Sequence, residues 1–114
     1  MLNIIKMKNL IIDAATNKIF FKIIAGKESY TSDYLNSREN IDKLIIFLCN
    51  FLDENKINIK EIDNIFVNQG PGKFSGIRAS ISTAKALSIT NKINLYGFCS
   101  TDVNGQNYQK IIDL

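Results

Sequence analysis

Between Gln69 and Gly76 the chain reads Gln-Gly-Pro-Gly-Lys-Phe-Ser-Gly, set between an apolar run at 62–68 and a segment of helical period. A glycine-rich turn at such a junction presents backbone N–H groups at the positive end of a helix dipole, the arrangement that binds phosphate. The spacing here is GxGxxxG, one residue longer than the dinucleotide fingerprint, and Lys73 precedes Phe74 where a phosphate loop needs Ser or Thr. Two readings stand. The loop is a ligand cradle, or it is a turn in which Gly70 and Gly72 take unusual backbone angles around Pro71, Ser75 caps the helix and Gly76 permits close packing. The turn is preferred, because glycine motifs often match by chance.

Asp13 closes the first apolar run, and the carboxyl ends of strands are where sheets of this kind hold phosphate or metal. It reads as a ligand carboxylate or as a turn-forming aspartate, the latter preferred. No second carboxylate stands at an interpretable spacing and the chain has no histidine, so a two-metal site is unsupported and no metal is expected. Cys49 and Cys99 lie in apolar contexts without a CxxC pair, and are expected to be reduced core thiols of a cytoplasmic protein.

These residues need a scaffold, and 114 residues with 46% hydrophobic content suit one domain with one core. The net charge of +3 is spread along the chain, which gives no nucleic-acid arm and predicts no direct nucleic-acid contact. No window approaches the roughly 20 apolar residues of a membrane helix, and the first ten residues lack a signal-peptide pattern, so a soluble protein is expected. Those ten residues read as a first strand with its lead-in.

Residues 9–14 and 18–25 form two apolar runs joined by a short turn, a hairpin signal, and 28–35 reads as an edge strand. A helix is predicted over 37–55, with Ser37 as N-cap, Asn40 at N3, and a stripe of Ile41, Leu44, Ile45, Leu48, Phe51 and Leu52. Ile46, Phe47 and Cys49 widen that stripe towards a second surface. After a central strand at 62–68 and the glycine loop, a second helix runs to about Asn91, a last strand covers 94–99, and the tail is given a turn of helix around 108–112. The second helix has one face of Ile77, Ile81, Ala84 and Leu87. Its other face, Ala79, Ser82, Thr83, Ala86 and Thr90, is small enough for another helix to approach, or is an ordinary solvated face. Arg78 projects near the loop, where it ties down a carbonyl, pairs with a carboxylate or touches an anionic partner. The order βββαβαβ suits a mixed α/β layer fold.

The run Gln69 to Arg78, followed by Ala84-Lys85-Ala86-Leu87, resembles the GPGSFTGLR…AKGLA signature of TsaB proteins, and residues 10–15 are similar to that family's opening strand. The resemblance extends from about Asn9 to Phe98. It implies a single lobe of the actin-like ATPase, ribonuclease H-like fold, with a mixed sheet of about five strands and two main helices, equivalent to the N-terminal lobe of TsaB. It further implies a non-catalytic subunit that pairs through its helices with a TsaD-type protein, in the threonylcarbamoylation of adenosine 37 of tRNA. ATP and metal are then expected on the partner and no cofactor on this chain alone. Departures from the family are Asn36-Ser37-Arg38-Glu39 in place of a histidine-containing helix lead, Ser75 in place of Thr, and the expected absence of a second lobe. The last leaves surface for self-association, so a homodimer is an alternative. A small ATPase or phosphotransferase using Asp13 and the loop, or a peptidase, is the competing class.

Overall fold

In the computed structural model, residues 7–103 and 107–112 are described; the lead-in expected over residues 1–6 lies outside them, as do 104–106 and 113–114 of the tail. Strand β1 (Lys8–Asp13) pairs antiparallel with β2 (Lys18–Ala25), which pairs antiparallel with β3 (Glu28–Leu35). The second hairpin turns on Gly26 and Lys27, with Ala25 opposite Glu28; Gly26 takes φ +64°, a left-handed angle that suits glycine at a two-residue turn. Strands β4 (Asn64–Asn68) and β5 (Asn94–Phe98) add in parallel on the other side of β1. The sheet order is β3-β2-β1-β4-β5, so β3 is an edge, as its sequence predicts.

Three asparagines fix the register of the parallel strands. Asn9, Asn64 and Asn94 stand side by side; Asn94 Nδ2 donates to Asn64 Oδ1 (3.1 Å) and Asn64 Nδ2 to Asn9 Oδ1 (2.9 Å). A one-residue slip would break both bonds and turn every apolar side chain to the wrong face.

The helix predicted over 37–55 is two helices, α1 (Arg38–Ile41) and α2 (Leu44–Glu54). Ser37 does cap α1, its Oγ accepting from Asn40 N–H (3.1 Å), while Asn40 Nδ2 donates back to Leu35 O (2.9 Å). These bonds tie α1 to the end of β3. The direction of α2 is set instead by burial of Leu44, Leu48, Phe51 and Leu52, and the chain bends at Asp42–Lys43 to satisfy both. Ile45 and Cys49 lie off the buried side of α2; Ile45 leaves the predicted stripe at 43% exposure.

Helix α3 (Phe74–Asn91) crosses the same face of the sheet. Both long helices end on a lysine with a left-handed backbone, Lys56 at φ 55° and Lys92 at φ 56°. Ile57 N–H then reaches Leu52 O (2.9 Å) and Ile93 N–H reaches Ser88 O (3.0 Å), closing the last turns and burying an isoleucine after each.

The main core lies between α1–α3 and one sheet face, around Leu10, Ile12, Phe21, Ile65, Leu48 and Phe51. The opposite face presents Ile11, Phe20, Ile24, Phe66 and Phe98, and is covered by the tail, in which α4 (Gln109–Ile112) packs Ile111 and the preceding Tyr108 against it.

Candidate functional site

Asp13 ends β1 and Asn68 ends β4, so the parallel pairing brings their side chains together beneath the glycine loop. Asp13 is 5% exposed and its carboxylate is fully engaged. Oδ1 accepts from Ala15 N–H (3.1 Å) and Asn68 Nδ2 (3.1 Å); Oδ2 accepts a short bond from the Tyr108 hydroxyl (2.6 Å). No cation pairs with it among the described residues, so neutral donors alone hold the buried charge. The bond to Ala15 is the turn-forming role predicted from sequence.

Asn68 is oriented by Gly70 N–H, which can only donate and does so to Oδ1 (2.7 Å). Its Nδ2 then donates to Asp13 and to Ser100 Oγ (3.1 Å), and the Ser100 hydroxyl donates to Pro71 O (2.7 Å). Ser100 N–H adds a bond to Gly70 O (2.9 Å) and Lys73 N–H one to Ala15 O (2.8 Å). The loop therefore directs the amides of Gly70 and Lys73 at its own protein. Gly70 takes φ +107°, and the Gly70–Pro71 peptide is cis. The two later glycines serve proximity: a Cβ at Gly72 would strike the Ala15 carbonyl oxygen, and one at Gly76 the Ala14 carbonyl oxygen.

The polar groups around Asp13 are committed within the protein. Every oxygen of Asp13 already has a protein donor, and among the described residues no three His, Cys, Asp or Glu side chains converge. A small pocket of about 230 Å³ beside Asp13 is lined by Thr16, Phe20, Ser100 and Tyr108. Tyr108 is held neutral there: burial first, and then the Asp13 hydrogen bond and charge, raise its pKa well above the ordinary value.

Ser75 is not the cap of α3. Lys73 occupies that position without a side-chain bond, because the loop enters the helix two residues earlier than the serine. The inward side of α3 carries Ile77, Ser80 and Ala84, with Ala79 half-buried against the core; Ser80 Oγ is satisfied by Gly76 O (2.8 Å). Of the predicted small face, Ser82, Ala86 and Thr90 are exposed and Thr83 is half-buried. Two large apolar side chains not predicted for this face stand with them, Phe74 of the signature loop at 69% and Ile89 at 79% exposure. Arg78 lies over the Phe74 ring, 5.2 Å from its centroid. On α2, Ile46 is exposed, whereas Phe47 stacks on Tyr34 at 4.0 Å and belongs to the molecule's own packing. A cleft of about 240 Å³ between α2 and α3 is lined by Ile45, Cys49, Leu52 and Leu87. Cys49 and Cys99 are both exposed, not core thiols; the first lies off the buried side of α2, and the second follows the end of an edge strand.

Asn36, Asn68, Ser100 and Tyr108 are the residues that sequence reading missed. Asn36 is buried and its Nδ2 clamps Ala14 O (2.9 Å) and Thr16 O (2.7 Å), holding the turn against which Gly76 packs. A polar residue closing an apolar strand, as Asn68 does, is the one local signal for this network.

A five-stranded mixed sheet with two main helices over one face defines the actin-like ATPase, ribonuclease H-like fold, and a lobe of that fold is also seen in YeaZ from Pseudomonas aeruginosa. That structure superposes with a TM-score of 0.79 at 18% identity, covering 94% of this chain and 50% of its own. The family model of TsaD, tRNA N6-adenosine threonylcarbamoyltransferase, matches residues 34–110, and the chain belongs to this TsaD and TsaB-like family. Among curated relatives, the tRNA threonylcarbamoyladenosine biosynthesis protein TsaB of Buchnera aphidicola subsp. Schizaphis graminum is 29% identical over 97 residues, 85% of this chain and 46% of that protein. The tRNA N6-adenosine threonylcarbamoyltransferase of Fervidobacterium nodosum is 34% identical over 61 residues, 54% of this chain and 18% of that protein. Membership thus stands at the level of the family, and the chain spans about half the length of the TsaB relative or less of the others.

Proposed function

We propose that this chain is a TsaB-type, non-catalytic subunit that pairs with a TsaD-type protein through the outward face of α3, in the complex that threonylcarbamoylates adenosine 37 of tRNA. The observation that carries this reading is the exposed strip on α3, where Phe74 and Ile89 bracket the small residues Ser82 and Ala86, with Ile46 exposed on the neighbouring α2. Exposed apolar anchors around a low-profile surface suit a helix of another protein better than they suit water. The engaged state of Asp13 and of the Gly70 and Lys73 amides supports pairing over phosphotransfer, since a ligand at those groups would have to displace the protein's own partners. ATP and metal are accordingly assigned to the partner, and the complex to the cytoplasm; among the described residues no helix is long and apolar enough to cross a membrane. The chain is read as one domain equivalent to the first lobe of TsaB.

The test is Ala86→Glu. Ala86 is exposed, so the variant should keep its circular dichroism spectrum and melting temperature. In the pair it would bury an unmatched carboxylate, worth roughly 3–5 kcal/mol and so at least a hundredfold in affinity. Copurification of wild-type chain with a TsaD-type protein, lost in the variant, supports the proposal. Undiminished binding by the variant, or a wild-type chain that only self-associates by light scattering, overturns it.

A further inference from the structure

We propose that Tyr108 is a positioning residue that couples the tail on one face of the sheet to the glycine loop and α3 on the other. The tail reaches Asp13 across 95 residues of sequence, and its tyrosine is 3% exposed, stacked on Phe20 (5.3 Å between centroids) and set edge-on to Phe98 (6.0 Å). From its hydroxyl a continuous chain of hydrogen bonds runs through the sheet. Tyr108 fixes Asp13 Oδ2, Asp13 Oδ1 fixes Asn68 Nδ2, and Asn68 Oδ1 fixes the Gly70 amide. A branch runs from Asp13 to Ala15 N–H, and the Ala15 carbonyl receives Lys73 N–H at the start of α3. Another acceptor in this turn, Ala14 O, is the atom that Gly76 and Asn36 press against.

The direction of each bond is forced. Backbone amides at Gly70, Ala15 and Lys73 can only donate, so Asn68 must present Oδ1 to the loop and Nδ2 to Asp13. That leaves one lone-pair side of Asp13 facing the tail, and the tyrosine hydroxyl is its donor. Without that donor the carboxylate is drawn to another partner, and the competing groups nearby are Asn68 and the Ser100 hydroxyl, both of which hold the loop. An undocked tail therefore loosens the loop and the first turn of α3, where Phe74 begins the exposed strip. The consequence for pairing rests on the function proposed above; the coupling itself does not.

Tyr108→Phe keeps the ring and removes only the hydroxyl. Hydrogen exchange followed by NMR on the full chain is expected to show the Gly70 and Lys73 amides exchanging about tenfold faster, the equivalent of one lost hydrogen bond. The amides of Ile65 and Tyr96, in the paired middle of the parallel strands, should change by less than threefold. Acceleration of the loop amides by less than threefold, or an equal acceleration of all four, overturns the coupling and leaves Tyr108 as packing only. Binding of a TsaD-type protein to both forms is then measured: failure of the wild-type chain to bind sinks the pairing reading while the exchange result still decides the coupling.

Discussion

Gly76 shows how much of this molecule rests on a missing side chain. The residue lies in the first turn of α3, and the helix enters so close to the β1–β2 turn that a Cβ would overlap the Ala14 carbonyl oxygen and come within 2.9 Å of Asn36 Nδ2. Neither neighbour can yield cheaply, because Asn36 is itself holding Ala14 O and Thr16 O. Gly76→Ala should thus cost about 1–3 kcal/mol, the range for overpacking a tight site, although alanine is the better helix former. Urea unfolding of the two forms checks this; a variant as stable as wild type would mean that the α3 entry is loose. The sequence made close packing at Gly76 legible from its place in the motif. It gave no sight of what the glycine packs against, since Ala14 and Asn36 come from other parts of the chain. The same applies to Asp13: its turn role follows from neighbours two residues away, whereas its bonds to Asn68 and Tyr108 span 55 and 95 residues and leave no local pattern.

Among the elements, β2 and β3 run between the residues expected from their apolar and turn signals, because a two-residue turn on Gly26 leaves little freedom in register. The helices were less legible. Period alone joins α1 to α2, since Leu44 continues the stripe begun by Ile41, and the bend between them comes from tertiary demands on each piece. The ends of α2 and α3 carry no glycine to mark them; lysine takes the left-handed position in both, at a steric cost of roughly 1 kcal/mol for a residue with a Cβ. Lys92→Gly relieves that strain while the Ile93 to Ser88 bond persists, and the gain should be about 0.5–1 kcal/mol, reduced by the freer unfolded chain. Thermal unfolding would register it as a small rise in Tm. A fall would mean that the Lys92 side chain contributes more to the end of α3 than its backbone angle costs.

For the whole molecule, the sheet is a partition with different covers on its two sides: α1 to α3 on one, and the tail with Val103, Tyr108, Ile111 and Ile112 on the other. The unbroken apolar run of β1 fits a strand buried on both faces, and β4 repeats it, with Ile65 and Val67 facing the helices and Phe66 the tail. A turn of helix near 108–112 was legible in the sequence, but its docking was not, because four residues offer no period to assign a face. How far that docking supports the fold can be read from its pH dependence. Tyr108 ionises near 10 in an unfolded chain and well above that when folded, through burial and then through Asp13, whose negative charge faces the hydroxyl. Lys22, Lys27 and Glu28 line a surface pocket that Tyr108 also borders. Since the folded value is the raised one, the unfolded state releases the proton first; the stabilisation is complete below about pH 10 and declines as pH rises towards the folded value, by about 1.4 kcal/mol per pH unit. Other tyrosines and the lysines titrate over the same range, so the informative quantity is the difference between wild type and Tyr108→Phe in urea unfolding. Wild type should be the more stable by a constant margin up to about pH 9.5, and the margin should shrink steadily between roughly pH 10 and 11.5 as the phenylalanine variant, having no proton to lose there, falls less steeply. Parallel curves over that interval would show that the hydroxyl is not buried against Asp13 in solution.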